Sequence, residues 1–537
     1  MMNSIKRNAI ILAAGKSTSF APFTYEKPKG LFCVKGEILI ERQVRQMKEA
    51  GIDEIIVVIG YMKEKFFYLE QKYGVILIVN NNFSSKGNLY SVFKAREYLN
   101  NTFICCADQY FVDNPFLEEN NNNNSYRACA YYSGEFKEFG VEYSDANIIT
   151  DMTIGGRDSM VMVGHVYFNE CFSNRFIELM EEEIEVFRIS SMFWEEFYKK
   201  HQSKLTLHMI EVQSSQILEF DRIEDLIEFD AEFLNNIDSE IIKNIICVLQ
   251  CSAEDIVDIQ VIQAGLTNVS FMFCVKNIKY VYRHPGGTAG NLVNRQAEMY
   301  AQKIAKETGV DISYIHMDES GWKISYYVDN LVECNFRKYP KQFKLGMEFL
   351  RRIHSEPVTE DVKIFDNIQE GKKLIGIASS TKGNLFLEFK DIIEKIDKLD
   401  CLVKEDAQKR NVKKVFCHND TYEPNYLATE NGELYLIDWE YSGINYPAND
   451  LACILCRNHF SDEEIYEYFE EYLQRKPTFA ESRHFISYIA LCAFYWFSWG
   501  LYKGSVGDDD SFFFLPAYRS CIRYIDKALA LFEDKED

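Results

Sequence analysis

The sequence predicts an α/β chain of two folded units: a doubly wound, mostly parallel sheet, then a unit that begins as strands and becomes mostly helical. Three observations carry this. The chain has 537 residues, too many for one hydrophobic core when domains usually hold about 100–200. Short apolar runs alternate with helical periodicity through the first part, the order of a parallel sheet covered on both faces. The alternation stops near Asp230. The expected boundaries are 1–230 for the first domain, 231–253 for a helical connector and 254–537 for the second domain.

Taken in order, Ala9 to Ala13 is a continuous apolar run, as expected of a buried parallel strand. Ile38 to Ala50 has helical periodicity, with Gly51 placed to end it. A strand over Ile55–Ile59, a helix around Lys63–Tyr73, a strand over Val75–Val79, a helix near Tyr90–Leu99 and a strand over Phe103–Ala107 follow. Ligands in such a sheet bind at the carboxyl ends of the strands. The asparagine run Asn120 to Asn124 reads as a solvated loop. The connector carries Leu–Ile periodicity through Ile237–Leu249, and the second unit opens with strands Phe271–Val275 and Lys279–Arg283.

Hydrophobic residues at 47% and aromatics at 15% supply the cores. The net charge of −23 argues against a nucleic-acid or anionic-membrane partner, since both need a cationic face. The fifteen cysteines are scattered, most in apolar runs, and read as buried thiols of a reducing, cytoplasmic compartment. Cys453 and Cys456 form one CxxC with no second pair and no histidine pattern, weak grounds for zinc. No signal peptide is expected, because Ala9–Ala14 is too short. Ile486 to Tyr502 reaches only the lower limit of about 17–25 residues for a membrane span and contains Ser487 and Ser498, so a buried helix is expected.

Leu12-Ala13-Ala14-Gly15-Lys16 follows the first strand directly, and small residues there let backbone amides approach a phosphate. A Walker A loop is excluded, because Ile10 stands where its first glycine belongs. Glu26-Lys27-Pro28-Lys29-Gly30-Leu31 brings Lys29 to the same mouth, where a cation can neutralise charge on a transferring phosphoryl group. Together these motifs resemble nucleotidyltransferases that activate sugar phosphates or phosphocholine, over about the first 230 residues, and within them the phosphocholine cytidylyltransferase branch. The resemblance implies Mg²⁺ held by Asp108, at a strand end, and by Asp221; two carboxylates with substrate phosphates suffice for that ion. Asp221 reads equally as a helix N-cap. One departure stands out: Ser17 replaces the loop's second glycine and Ser19 the family's arginine, removing a bidentate phosphate contact and leaving Lys16 to compensate.

In the second unit, His418-Asn419-Asp420 is followed by Asn425. This is the spacing of a phosphotransfer loop, with an aspartate to accept the hydroxyl proton and an asparagine five residues on to ligate Mg²⁺. Tyr435-Leu436-Ile437 then presents Asp438 at a strand end as a second metal ligand. With Trp439-Glu440-Tyr441 and Asp450, this resembles choline and ethanolamine kinases over about Val257 to Tyr524, and implies a bilobal kinase-like α+β fold. The resemblance further implies a nucleotide-covering loop at Gln263–Asn268, Arg283 on the phosphates with Glu298 as its ion-pair partner, and a choline pocket including Tyr441. Trp496 and Trp499 share a helix face and match an aromatic box, to which Glu440 or Asp450 would add the opposite charge.

The expected function is therefore phosphorylation of choline by ATP, then transfer of a cytidylyl group from CTP to phosphocholine. Both sites would use Mg²⁺, and the partners would be small molecules. Two alternatives stay open: ethanolamine or another amino alcohol with a matching transferase, and an active kinase whose first domain is a degenerate regulatory module.

Overall fold

The computed structural model describes residues 6–533 apart from 86, 118–123, 185–190, 221, 263–267, 286–294, 358–361 and 507–510; side chains at 268 and 511–513 lie outside it as well. Asp221, nearly all of the loop Gln263–Asn268 and most of the asparagine run fall outside the described residues. The chain divides into two compact units, Met1–Ile256 and Val257–Asp537.

The first unit is built on a seven-stranded sheet. Across it lie His208–Glu211, Tyr126–Tyr143, Ile149–Phe168, Thr102–Cys106, Asn8–Ala13, Ile55–Ile59 and Ile76–Val79. Asn8–Ala13 runs parallel to both neighbours, with Ala9 opposite Ile55 on one side and Phe103 on the other. Its side chains divide by the two-residue period of a strand. Ile10 and Leu12 join a core with Val92, Phe168 and Trp194, whereas Ala9, Ile11 and Ala13 join another with Val44, Met47 and Phe103. Both faces are therefore covered, which is why the strand reads as an uninterrupted apolar run. Helix Leu39–Glu49 ends at Ala50, with Gly51 at φ 73°, as its periodicity predicts. Two long antiparallel strands, Tyr126–Tyr143 and Ile149–Phe168, are the main addition to the sequence-based outline.

The expected connector packs on the first unit. Phe233 lies edge-on to Phe23 at 5.7 Å, and Glu26 accepts hydrogen bonds from the Ser239 hydroxyl and from the Ile241 amide. Asp238, at φ 51°, separates a short helix, Phe233–Asn236, from Glu240–Leu249.

The second unit opens with a five-stranded sheet in the order Ile256–Ile262, Asn268–Val275, Ile278–Pro285, Lys323–Tyr326, Tyr314–Met317. It continues as helices around one core. Phe479–Ser505 is long and apolar enough to cross a membrane, but most of it is buried in that core. All fifteen cysteines are free thiols.

Candidate active sites

In the first unit, the strand Asn8–Ala13 delivers Leu12, Ala13 and Ala14 to the carboxyl edge of the sheet. The Leu12 carbonyl accepts from the Ala107 amide at 3.0 Å, and the Ala14 carbonyl from the Tyr61 amide at 3.0 Å. Gly60 backs this turn: a Cβ there would lie 2.8 Å from the Ala14 carbonyl oxygen. Gly15 has open space around its Cα, and Ser17 takes the left-handed conformation. The Lys16 ammonium sits 6.0 Å from the centre of the Phe83 ring.

Lys29 and Asp108 meet. The buried Lys29 ammonium lies 3.2 Å from Asp108 Oδ2, 4.0 Å from the Phe20 ring centre, and donates to the Phe220 carbonyl. Gly30 allows this approach, since a Cβ on it would come within 2.8 Å of Ala107 Cβ. The Asp108 side chain stays 37% exposed, open to a ligand. The strand Ile217–Glu219, just before Asp221, pairs with Gln109–Phe111, setting Glu219 opposite Gln109. Burial, then the Asp108 charge, raises the Glu219 carboxyl above its usual range.

In the second unit, a hairpin assembles the site. Strands Tyr426–Thr429 and Leu434–Leu436 pair with Tyr426 opposite Leu436, and the Ile437 amide donates to the Asn425 carbonyl at 2.9 Å. Asn425 and Asp438 are thereby adjacent although thirteen residues apart in sequence. Asn425 Nδ2 donates to Asp420 Oδ2 at 3.0 Å, which turns its Oδ1 away from that carboxylate. Asp438 holds the left-handed conformation, φ 66°, which aspartate tolerates better than most side chains. Burial pushes its carboxyl up, and Arg283 Nη1, 3.6 Å from Oδ1, opposes that shift. A hard carboxylate and an amide oxygen side by side suit Mg²⁺.

Arg283 and Glu298 form a buried ion pair at 2.5 Å, and Arg295 reaches the other Glu298 oxygen at 2.8 Å. Glu440, Tyr441 and Trp499 line a small cavity with Phe365, Tyr495 and Glu370, and Lys363 pairs with Glu370 there at 2.9 Å. Burial raises both tyrosine hydroxyls far above their usual range, reinforced at Tyr441 by Glu440 and at Tyr495 by Glu370, so both rings stay neutral.

Two expectations are corrected. Asp450 does not face a substrate. It is fully buried, and its carboxylate accepts from the His418 amide at 2.8 Å, the Asn419 amide at 2.7 Å and His354 Nε2 at 3.1 Å. Its oxygens are spent on holding the loop that carries Asp420. Trp496 does not line the cavity; the Arg457 guanidinium lies 3.7 Å from its ring centre and covers that face.

Arg457 is one residue that motif reasoning missed, and its Nη2 donates to Asp420 Oδ1 at 3.0 Å. A second omission is a buried amide network: Asn445 and Asn449 both donate to Asn419 Oδ1, at 3.1 and 2.9 Å, and both exchange hydrogen bonds with Asn367. His418 accepts the Asp420 amide at Nδ1 and donates from Nε2 to the Ile437 carbonyl at 2.9 Å, tying loop to hairpin. Arg457 follows a helix with no motif around it, whereas Asn445 and Asn449 flank Pro447 and signalled only a turn into a helix.

Comparison with known proteins matches both units. The family described as MobA-like NTP transferase domain matches residues 9–181, and choline/ethanolamine kinase matches residues 259–493. A 2-aminoethylphosphonate cytidylyltransferase of Lancefieldella rimae is 33% identical over 234 residues, 42% of this chain and 94% of the relative. A choline-phosphate cytidylyltransferase of Streptococcus pneumoniae is 29% identical over 228 residues, 42% of this chain and 98% of the relative. Protein LicA of Haemophilus influenzae is 27% identical over 257 residues, 45% of this chain and 92% of the relative. The chain thus carries two enzyme domains, a nucleotidyltransferase in its first unit and a choline/ethanolamine kinase-like phosphotransferase in its second.

Proposed function

We propose that the second unit phosphorylates choline with ATP and that the first joins the resulting phosphocholine to CTP, giving CDP-choline and pyrophosphate. The observation that carries this is the cavity in which Phe365, Tyr441, Tyr495 and Trp499 stand with Glu440 and with the Glu370–Lys363 ion pair. A quaternary ammonium is poorly hydrated, so it gains from ring faces and from carboxylates that need not hydrogen-bond to it. The choline-phosphate cytidylyltransferase relative of the first unit supports the pairing, because one unit's product is then the other's substrate.

In this reading the Asp420 carboxylate accepts the proton of the choline hydroxyl as its oxygen attacks the γ-phosphorus of ATP, and ADP leaves. Arg283, fixed by Glu298, faces the phosphates, and Asn425 with Asp438 would hold Mg²⁺, which neutralises phosphate charge when bound. In the first unit, an oxygen of phosphocholine's phosphate attacks the α-phosphorus of CTP and pyrophosphate leaves. The Leu12–Lys16 turn receives the triphosphate, Lys29 offsets charge on the transferring group, and Asp108 with Asp221 would hold the metal.

The test is purified protein with ATP, CTP and Mg²⁺, given choline, ethanolamine or 2-aminoethylphosphonate, with products read by mass spectrometry. CDP-choline from choline, dependent on both nucleotides, is the expected result. CDP-ethanolamine in preference would move the assignment to the primary amine. Transfer to 2-aminoethylphosphonate without ATP would favour the acceptor named for the Lancefieldella relative. Phosphocholine with no cytidylyl product would reduce the first unit to a regulatory module.

A further inference from the structure

Arg457 lies two residues beyond helix Pro447–Leu455 and is buried. Its guanidinium is 3.7 Å from the Trp496 ring centre and 4.4 Å from that of Tyr422. The same group donates to Asp420 Oδ1 at 3.0 Å, while Asn425 Nδ2 donates to Oδ2 at 3.0 Å. The Asp420 carboxylate is thus fixed at both oxygens, once by a cation and once by an amide. Trp496 in turn touches the rings around the cavity: Tyr441 at 5.5 Å, Tyr495 at 5.0 Å and Trp499 at 5.9 Å.

Charge balance gives this arrangement a purpose. Glu370, Glu440 and Asp420 are three carboxylates at one site; Lys363 pairs with Glu370 at 2.9 Å, and an onium substrate brings one further positive charge. A buried carboxylate without a counter-charge is costly. Arg457 answers Asp420, as Lys363 answers Glu370. Planar, delocalised and weakly hydrated, a guanidinium suits a slot between two aromatic faces better than a lysine ammonium, which would keep the charge but not the stacking.

We propose that Arg457 is a positioning residue that orients Asp420 for the incoming hydroxyl, and that Trp496 serves to hold Arg457 while Trp499 serves the substrate. This rests on the kinase reading above and assigns the two tryptophans, equivalent by sequence spacing, different work.

The test uses the full chain with kcat and KM measured for choline and ATP. Arg457→Met should lower kcat roughly 100-fold, the scale of a reacting group displaced by about 1 Å, with both KM values within about twofold of the parent. Arg457→Lys keeps the charge and should recover at least about tenfold of that loss. Trp496→Leu should also lower kcat, and combined with Arg457→Met it should add little, because the two act through one contact. Trp499→Leu should instead raise the choline KM. Thermal unfolding and the ATP KM serve as controls for folding. The proposal is overturned by an Arg457→Met enzyme with unchanged kcat, by no recovery in Arg457→Lys, or by Trp496→Leu raising the choline KM alone. If the wild type prefers another amino alcohol, the choline assignment falls, and the same variants measured on that alcohol still decide the role of Arg457. If it phosphorylates no alcohol, both fall.

Discussion

Replacing Asp450 by Asn separates a loop-holding carboxylate from a substrate-binding one. Asp450 accepts two backbone N–H groups and His354 Nε2 at 2.7–3.1 Å while fully buried. An amide keeps one acceptor oxygen and turns a donor toward the other partner. One charge-assisted bond, worth about 1.5–3 kcal/mol, is lost, and a buried donor is left unsatisfied at about 1–3 kcal/mol more. The sum, about 2.5–6 kcal/mol, is a large part of a domain's stability of roughly 5–15 kcal/mol. At about 2–4 °C per kcal/mol for a unit of this size, the second unit's melting midpoint should fall by roughly 5–24 °C. Calorimetry on the whole chain reads this directly, and cytidylyl transfer from supplied phosphocholine reports that the first unit is intact. Kinase kcat should fall, because the loop places Asp420, while the choline KM stays near its parent value. An unchanged melting midpoint with a much raised choline KM would refute the reasoning and return Asp450 to the substrate.

The other substitutions follow the same geometry. Asp420→Asn should cut choline phosphorylation by about 10²–10⁴-fold, read as ADP release, with cytidylyl transfer unaffected; Asn is chosen because Ala would strand the buried Arg457. Asp108→Asn should do the reverse, lowering pyrophosphate release from CTP by about 10²–10³-fold and sparing the kinase. Trp499→Leu should raise the choline KM about 10–30-fold, the worth of a desolvated cation–π contact near 2 kcal/mol, and leave the ATP KM unchanged.

The sequence was most informative where chemistry and local pattern coincide. The strand Asn8–Ala13 is buried on both faces, so its apolar run is visible without tertiary knowledge. Asn425 and Asp438 flank one hairpin and Asp420 lies in the loop that leads into it, so their spacing is preserved in the sequence. The long strands Tyr126–Tyr143 and Ile149–Phe168 were missed because register shifts break their pairing and several outward residues, among them Tyr131, Tyr132 and Ile154, are exposed. No clean two-residue alternation remains to be read. Asp450 and Trp496 failed for another reason. Helical spacing says which residues share a face, but not which neighbour that face meets. His354 is 96 residues from Asp450, and Arg457 is 39 from Trp496. Only the fold brings those partners together.

The two sites solve opposite problems with similar parts. Each sets an aspartate just after a buried strand, Asp108 after Thr102–Cys106 and Asp420 three residues after Val415–Cys417, and each brings a distant cation to it. Lys29 reaches Asp108 because Gly30 yields to Ala107, yet the carboxylate remains more than one-third exposed. An open carboxylate with one loosely held oxygen is what a hydrated divalent ion can enter, for such ions give up water reluctantly. Asp420, by contrast, is buried and fixed at both oxygens by Arg457 and Asn425. That is the condition for a proton acceptor, whose efficiency depends on a fixed approach to one hydroxyl rather than on freedom to re-coordinate. The difference in exposure between two aspartates that look alike in sequence is what the proposed division of labour, one holding a metal and one taking a proton, requires.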